Sequence, residues 1–176
     1  MDTQADRAAG LTPRRRCAVR RSLVLLVAVV VLVVGDFLVA PVRVASTSME
    51  PTLRPGDHLL VLKGAYRHEL PKRGDLVVFD WDGSPTLKRV AAVAGDTVGI
   101  EDGVLTVNGR PVREPAVEMR LVDGMYYGPA PVPDGTVFLL GDNRRNSLDS
   151  RRFGPVPVEK MAGRVVLRWW PRPRWL

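Results

Sequence analysis

Hydroxyl side chains are crowded into one short stretch of this sequence, Ser46-Thr47-Ser48, which is followed directly by Met49, Glu50 and Pro51. Pro51 prevents a helix from running through the stretch, so the serines belong to a turn or loop. Such a turn can be a polar linker without a chemical role. We pursue the alternative, that Ser48 is a nucleophile, and ask which base in the chain takes its proton.

Histidine is the usual base for a nucleophilic serine, but this chain offers only His58 and His68. His58 falls within a predicted strand and His68 within a charged segment, so we expect neither to act as the base. The sequence also lacks the GxSxG signature of a nucleophile elbow. The two histidines and the single cysteine, Cys17, form no ligand pattern for a metal. We therefore expect no catalytic triad, no metal site and no cofactor.

Lysine is the remaining candidate base. Burial penalises the ammonium form and populates the neutral amine, whereas an arginine stays protonated. Lys88 lies within a predicted apolar strand, while the other lysines lie in a turn, at a strand end or beside a glutamate. This placement favours Lys88, although a lysine on the solvated face of a strand would show the same local pattern. The chain has only four lysines: Lys63, Lys72, Lys88 and Lys160.

A polar loop, residues 141–152, follows a predicted buried strand. Its Asn, Asp and Ser side chains can satisfy backbone groups in a tight turn. Asp149 and Arg151 are close enough in sequence to form an ion pair. Composition alone does not decide whether this loop has a role or is a solvated turn.

The elements that must position these residues are predicted to be short strands. Fifteen prolines and sixteen glycines, scattered among short Val and Leu runs, are typical of such a fold. Asn108-Gly109 predicts a hairpin with a type I′ turn, and residues 101–135 predict a small insertion or cap. The fold class is therefore mainly β, either a barrel-like domain or two packed antiparallel sheets. The predicted strands are Asp57–Leu62, Asp75–Phe79, Thr86–Val93, Thr97–Ile100, Val104–Val107, Thr136–Leu140 and Val165–Leu167.

An apolar stretch at residues 23–40 is long enough for one transmembrane helix. Six arginines in residues 1–22 contribute most of the net charge of +7, and the positive-inside rule places this basic tail in the cytoplasm. Residues 41–176 then form an extracytoplasmic domain at the cell membrane. A cleaved secretory signal is less well supported, because Arg43 or Pro41 would flank the cleavage site. We find no basic face with stacking aromatics, so we do not expect nucleic-acid binding.

Four boxes of this sequence resemble, in order and spacing, those of the bacterial type I signal peptidases. They are Ser48-Met49-Glu50-Pro51-Thr52-Leu53, Arg73-Gly74-Asp75-Leu76-Val77, Lys88-Arg89-Val90 with Gly95-Asp96, and the loop from Gly141-Asp142-Asn143 to Asp149-Ser150-Arg151. The resemblance implies a membrane-bound serine endopeptidase that removes signal peptides from exported preproteins after small residues at −1 and −3. This sequence departs from the family pattern at Ala92, Ala94 and Arg145.

The resemblance also implies roles for individual residues. Ser48 is expected to be the nucleophile and Lys88 the general base, with Ser46 and the Ser48 backbone N–H forming the oxyanion hole. Ser147 is expected to orient the lysine. The bracing residues around the lysine are Asp142, Asp149 and Arg151, and the residues expected to line the −1 and −3 pockets are Val42, Val44, Met49, Leu53 and Leu87.

Two other functions are compatible with these residues. One is a related Ser-Lys peptidase dedicated to a single substrate, such as a pilin or a conjugation protein. The other is a non-catalytic, membrane-tethered binding module of the same fold. Three C-terminal tryptophans favour contact with the lipid bilayer or, equally, ordinary packing: Trp169, Trp170 and Trp175.

Overall fold

The structure, a computed structural model, describes residues 24–25, 35, 38–115, 117 and 124–176. The chain divides into two units, Met1–Phe37 and Leu38–Leu176, and almost all described residues belong to the second. The predicted tail lies outside the described residues, as does most of the predicted anchor. In the part of the chain that is described, no helix has the length and apolar character needed to cross a membrane.

The last residues of the predicted anchor belong to the first strand. Strand β1 (Val39–Arg43) pairs antiparallel with β2 (His58–Lys63), and Val39 lies opposite Leu62. Pro41 lacks the N–H that a helix would need at this point. The β domain therefore begins before Ala40, where the apolar pattern had placed the end of the anchor.

Ten further strands follow, and every pair of neighbouring strands is antiparallel. The larger sheet has the order β1-β2-β11-β3-β4-β9-β10, with β12 on β11, and the smaller sheet has the order β7-β6-β5-β8. The strands are β3 (Leu76–Trp81), β4 (Ser84–Val93), β5 (Thr97–Glu101), β6 (Val104–Val107), β7 (Arg110–Pro111), β8 (Tyr127–Pro131), β9 (Thr136–Leu140), β10 (Val156–Pro157), β11 (Met161–Trp170) and β12 (Arg174–Trp175). The predicted mainly β, antiparallel fold is confirmed.

The predicted hairpin at Asn108-Gly109 is also confirmed. Both residues have positive φ, 54° and 72°, as a type I′ turn requires, and β6 pairs with β7 across them. The Asn108 side chain accepts a hydrogen bond from the Thr97 N–H at 2.8 Å. This hairpin lies in the smaller sheet, away from the strands that carry the site.

Three apolar clusters hold the described domain together, because the central strands bury both of their faces. On β9, Phe138 packs into the cluster that joins the two sheets, while Leu139 packs on the opposite side. Ala92, one of the departures from the family pattern, is fully buried in the first of these clusters. The third cluster lies beneath the serine turn and packs Met49 and Leu53 against strands β1, β2, β3 and β11.

One short helix, α1 (Ser150–Phe153), follows the polar loop. Its N-cap is Asp149, whose side chain accepts a hydrogen bond from the Arg151 backbone N–H. Two single-turn 3₁₀ segments, Ala65–Arg67 and Val158–Lys160, also occur in the β domain. The loop before α1 returns the chain to the serine turn.

Candidate active site

Ser48 and Lys88 meet although 40 residues separate them in the sequence. The Lys88 Nζ atom lies 2.9 Å from the Ser48 Oγ atom, and both side chains are buried. The serine lies in a turn after β1, and the lysine projects from β4. A neutral amine at this distance accepts the hydroxyl proton, so the pair has the geometry of a nucleophile and its base.

The surroundings of Lys88 favour its neutral form. Only 4% of the residue is exposed, and burial lowers the pKa of its ammonium below the ordinary value. The negative charges of Asp149 and Asp142 oppose part of this shift. The neutral amine is therefore available at lower pH than for a solvent-exposed lysine.

The residues before Ser48 offer hydrogen-bond donors beside the nucleophile. The Ser46 Oγ atom lies 3.1 Å from the Ser48 Oγ atom. No described residue accepts a hydrogen bond from the Ser48 backbone N–H. The two donors predicted for the oxyanion hole therefore lie on the same turn as the nucleophile.

Asn143 and Asn146 of the polar loop hold the serine turn in place through three donor atoms. The Asn143 backbone N–H donates to the Ser48 carbonyl at 3.0 Å, and its side-chain amide donates to the Thr47 carbonyl at 3.2 Å. The Asn146 amide donates to the Thr47 hydroxyl at 3.0 Å. No role was predicted for these asparagines. Their only signal was that they belong to a polar loop directly after a buried strand.

Asp142 connects the serine turn to the strand that carries the lysine. The guanidinium of Arg89, the residue after Lys88, donates to the two Asp142 carboxylate oxygens at 2.8 and 2.7 Å. The Thr52 hydroxyl, in the serine turn, donates to the same carboxylate at 2.5 Å. The Asp142 carboxylate thus joins its own polar loop to the serine turn and to β4, in agreement with the bracing role predicted for it.

The predicted ion pair between Asp149 and Arg151 is confirmed. The Arg151 guanidinium donates to both Asp149 oxygens at 2.8 Å, and the Gly141 N–H donates to the same fully buried carboxylate at 3.1 Å. Arg151 also donates to the Arg144 carbonyl at 2.8 Å. The pair closes the loop from Gly141 to α1, and this closed loop supports Asn143.

Arg144 lies in the same loop, and no role was predicted for it. Its side chain is buried and forms an ion pair with Glu114 at a distance of 2.5 Å. Glu114 lies in the region predicted as an insertion or cap. The ion pair therefore ties that region to the site loop.

Ser147 does not make the hydrogen bond predicted for it. The Lys88 amine is directed to Ser48, and the buried Ser147 Oγ has no hydrogen-bond partner among the described residues. Ser147 instead packs against Gly141: a Cβ atom on Gly141 would lie 2.6 Å from both the Ser147 Cβ and the Ser48 carbonyl oxygen. Ser147 thus lies close to the nucleophile, but it contributes a packing contact with Gly141 rather than a hydrogen bond to Lys88.

The five residues predicted to line the substrate pockets belong to one apolar cluster beside Ser48. Val44, Met49 and Leu53 are buried within it, and Val42 and Leu87 pack against it. His58, rejected as a base, instead packs its ring edge-on against Trp169 with the ring centroids 5.3 Å apart.

Comparisons with known proteins match this chain to signal peptidases. The model of the family described as "signal peptidase, peptidase S26" matches residues 17–170. A probable signal peptidase I-2 from Synechocystis sp. is 38% identical over 169 residues, covering 85% of this chain and 72% of that protein. A signal peptidase I from Mycobacterium tuberculosis is 34% identical over an alignment of 239 residues, covering 99% of this chain and 81% of that protein. A crystal structure of a signal peptidase I from Enterococcus faecalis matches with a TM-score of 0.49 and 29% identity, over 55% of this chain and 97% of that one.

Proposed function

The chain belongs to the signal peptidase family S26 and is a serine endopeptidase that cleaves signal peptides, and we propose that Ser48 and Lys88 are its catalytic pair. The observation that carries the assignment is the 2.9 Å contact between the Lys88 amine and the Ser48 hydroxyl inside a buried site. Because burial populates the neutral amine, Lys88 can act as the base that a histidine would usually provide.

The reaction proceeds in two stages. In the first, Ser48 Oγ attacks the carbonyl carbon of the −1 residue while neutral Lys88 takes the hydroxyl proton. The resulting oxyanion accepts hydrogen bonds from the Ser48 N–H and the Ser46 hydroxyl, and each such donor is typically worth about 3–4 kcal/mol. Lys88 then protonates the leaving amine, and the mature protein departs. In the second stage, Lys88 activates a water molecule that hydrolyses the acyl-enzyme.

The substrate binds as an extended strand between two unpaired strand edges. Strand β1 ends the larger sheet, and the Val44 N–H and C=O bond to the chain on the β2 side, to Asp57 and Gly56. The backbone of Arg43 therefore faces the open edge, because successive residues of a strand alternate. In β4, residues 84–88 pair with β3 only, since β9 pairs with residues 89–93. The signal peptide adds to these edges by β-augmentation.

We further propose that the enzyme is anchored in the cell membrane by the part of the apolar stretch 23–40 that precedes β1, with residues 1–22 in the cytoplasm and the β domain outside. The support is the length of the apolar stretch and the arginines that precede it. Anchoring enzyme and preprotein in one bilayer raises their effective concentration.

The test is cleavage of model preproteins that carry an Ala-x-Ala site, by wild type and by Ser48→Ala. We expect the variant to lose activity by about 10³-fold or more. Thr97→Ala, which removes an exposed hydroxyl at the start of β5 in the smaller sheet, is the matched control and retains activity. Full activity in Ser48→Ala would refute the assignment. Using two unrelated preproteins separates a general signal peptidase from a peptidase dedicated to one substrate.

A further inference from the structure

We propose that a groove beyond the −1 and −3 pockets binds the side chain at position −5 of the signal peptide and prefers a large apolar residue there. The inference rests on the proposed function, because it extends the same substrate strand by two residues. The groove has a volume of about 690 Å³, within the range of about 300–1,000 Å³ that is typical of ligand pockets. Its apolar wall is formed by Ala40, Val42, Val61, Val78, Met161 and Ala162.

The groove adjoins the apolar cluster that lies next to Ser48. Val61 and Val78 belong both to its wall and to the apolar cluster that contains Val44, Met49 and Leu53. Ala40 and Val42 also pack against that cluster. A substrate chain that continues along the sheet beyond Val42 therefore comes next to the groove.

The register of the substrate strand follows from the direction of β1. This strand runs toward Ser48, and the acyl part of the substrate also ends at Ser48, so a substrate paired with the open edge of β1 is parallel to it. Val42 and Ala40 of β1 and Val44, directly after it, lie on one face, each two residues or about 6.6 Å from the next. Substrate side chains at −1, −3 and −5 share one face in the same way. With Val44 and Val42 at the −1 and −3 pockets, the −5 side chain lies over Ala40.

The chemistry of the groove favours an apolar side chain with room to extend. Two small residues, Ala40 and Ala162, leave space along a lining that also contains aliphatic side chains, Met161 and Tyr66. Charged side chains, Lys63, Arg67 and Glu159, also line the groove. Burying a leucine or phenylalanine there removes apolar surface from water, whereas an alanine would leave the groove open.

The experiment compares soluble peptides that differ only at −5 or only at −4, alanine against leucine, with the full-length enzyme. Leucine at −5 is expected to lower KM by about fivefold or more with kcat unchanged, because this binding is remote from the reacting bond. Leucine at −4 points to the opposite face and serves as the matched substrate control. An equal effect at −4 and −5, or none at −5, would overturn the proposal.

A variant tests the location of the site. Ala162 is exposed on β11, so Ala162→Trp is expected to fill the groove without disturbing the core and to bring the KM ratio of the two −5 peptides close to one. Thr97→Trp adds the same side chain at an exposed position of the smaller sheet, and it retains the wild-type ratio. A −5 preference that survives in Ala162→Trp would place the binding elsewhere. If wild type does not cleave the −5 alanine peptide, the proposed function fails, rather than the subsite alone.

Discussion

The Lys88 amine depends on its surroundings for its chemistry, since in water it would be protonated at neutral pH. Lys88→Arg preserves the charge but removes the base, because a guanidinium does not lose its proton. We expect kcat to fall by about 10²- to 10⁴-fold. Lys72→Arg makes the same exchange in an exposed turn and is expected to retain wild-type activity. A Lys88→Arg enzyme within tenfold of wild type would rule out Lys88 as the base.

The pH dependence of the rate follows from the lowered pKa of Lys88. Below that pKa the amine is protonated and inactive, so kcat/KM is expected to rise about tenfold per pH unit and to level off once the amine is neutral. Because burial lowers the pKa, the plateau begins below the ordinary titration range of a lysine near 10.5. A pH–rate profile with a soluble peptide measures this, and a rate that is flat from about pH 5 to 9 contradicts a titrating lysine.

Gly141 is required by contacts rather than by an unusual backbone angle. A Cβ atom here would lie 2.6 Å from the Ser48 carbonyl oxygen, which is shorter than any stable contact. Gly141→Ala is therefore expected to displace the nucleophile, lowering kcat at least tenfold, and to destabilise the fold by about 1–3 kcal/mol. In Gly128→Ala the new Cβ would lie 2.6 Å from the Val98 carbonyl oxygen in the smaller sheet. That control should lower Tm while leaving kcat unchanged, and an equal loss of kcat in both variants would show a general folding defect.

At the scale of elements, Asp142 determines how the serine turn meets β4. Asp142→Ala leaves the half-buried Arg89 guanidinium without its carboxylate and Thr52 without its acceptor. We expect the free energy of unfolding to fall by about 3 kcal/mol, with a parallel loss of kcat. Urea unfolding and peptide kinetics measure the two effects.

The control for this prediction is Asp80→Ala. Among the described residues, only the Gly83 N–H donates a hydrogen bond to the Asp80 carboxylate, in an exposed turn. The change in stability should stay within about 0.5 kcal/mol. If Asp142→Ala is as mild as this control, the ion pair with Arg89 does not connect the two elements.

The bounds of strands that are apolar runs flanked by turn residues were predicted correctly. Strands that contain prolines or that continue the apolar pattern of the anchor were missed. The predicted strands Val104–Val107 and Thr136–Leu140 match the observed bounds, because turn residues flank each apolar run. Strand β8 was missed because Pro129 and Pro131 argue against a strand. Proline is tolerated there because β8 is at the edge of the smaller sheet. Strand β1 was missed because its apolar residues continue the pattern of the predicted anchor.

The site could be predicted from the sequence only where residue chemistry restricts the choice. The scarcity of histidine and lysine led to Lys88, and this choice agrees with the contact to Ser48. The bonds from Asn143 to the serine turn could not be predicted, because its backbone N–H and its side-chain amide reach backbone carbonyls almost one hundred residues away in the sequence. Whether Ser147 bonds to the lysine depends on side-chain directions that no local pattern contains.

At the scale of the whole molecule, we propose that the exposed C-terminal tryptophans are the surface of the domain that contacts the bilayer. Trp170 is 58% exposed at the end of β11. Trp and Tyr are enriched at membrane interfaces, where an apolar ring can be buried while its N–H stays hydrated. Trp175 is more exposed, but it lines a groove with Pro51 and Thr52 of the serine turn. A substitution of Trp170 therefore tests membrane contact without altering the groove beside the serine turn.

Trp170→Ser removes this apolar surface without touching the catalytic pair. For full-length enzyme in liposomes, we expect kcat/KM for a membrane-inserted preprotein to fall about fivefold, which corresponds to roughly 1 kcal/mol of lost burial. Cleavage of a soluble peptide with the same Ala-x-Ala site should remain unchanged, because only the inserted substrate requires the domain to be oriented on the bilayer. Leu70→Ser removes an exposed apolar side chain far along the chain from the tryptophans and serves as the control. If Trp170→Ser slows both substrates equally, the tryptophan packs within the domain and the lipid contact lies elsewhere.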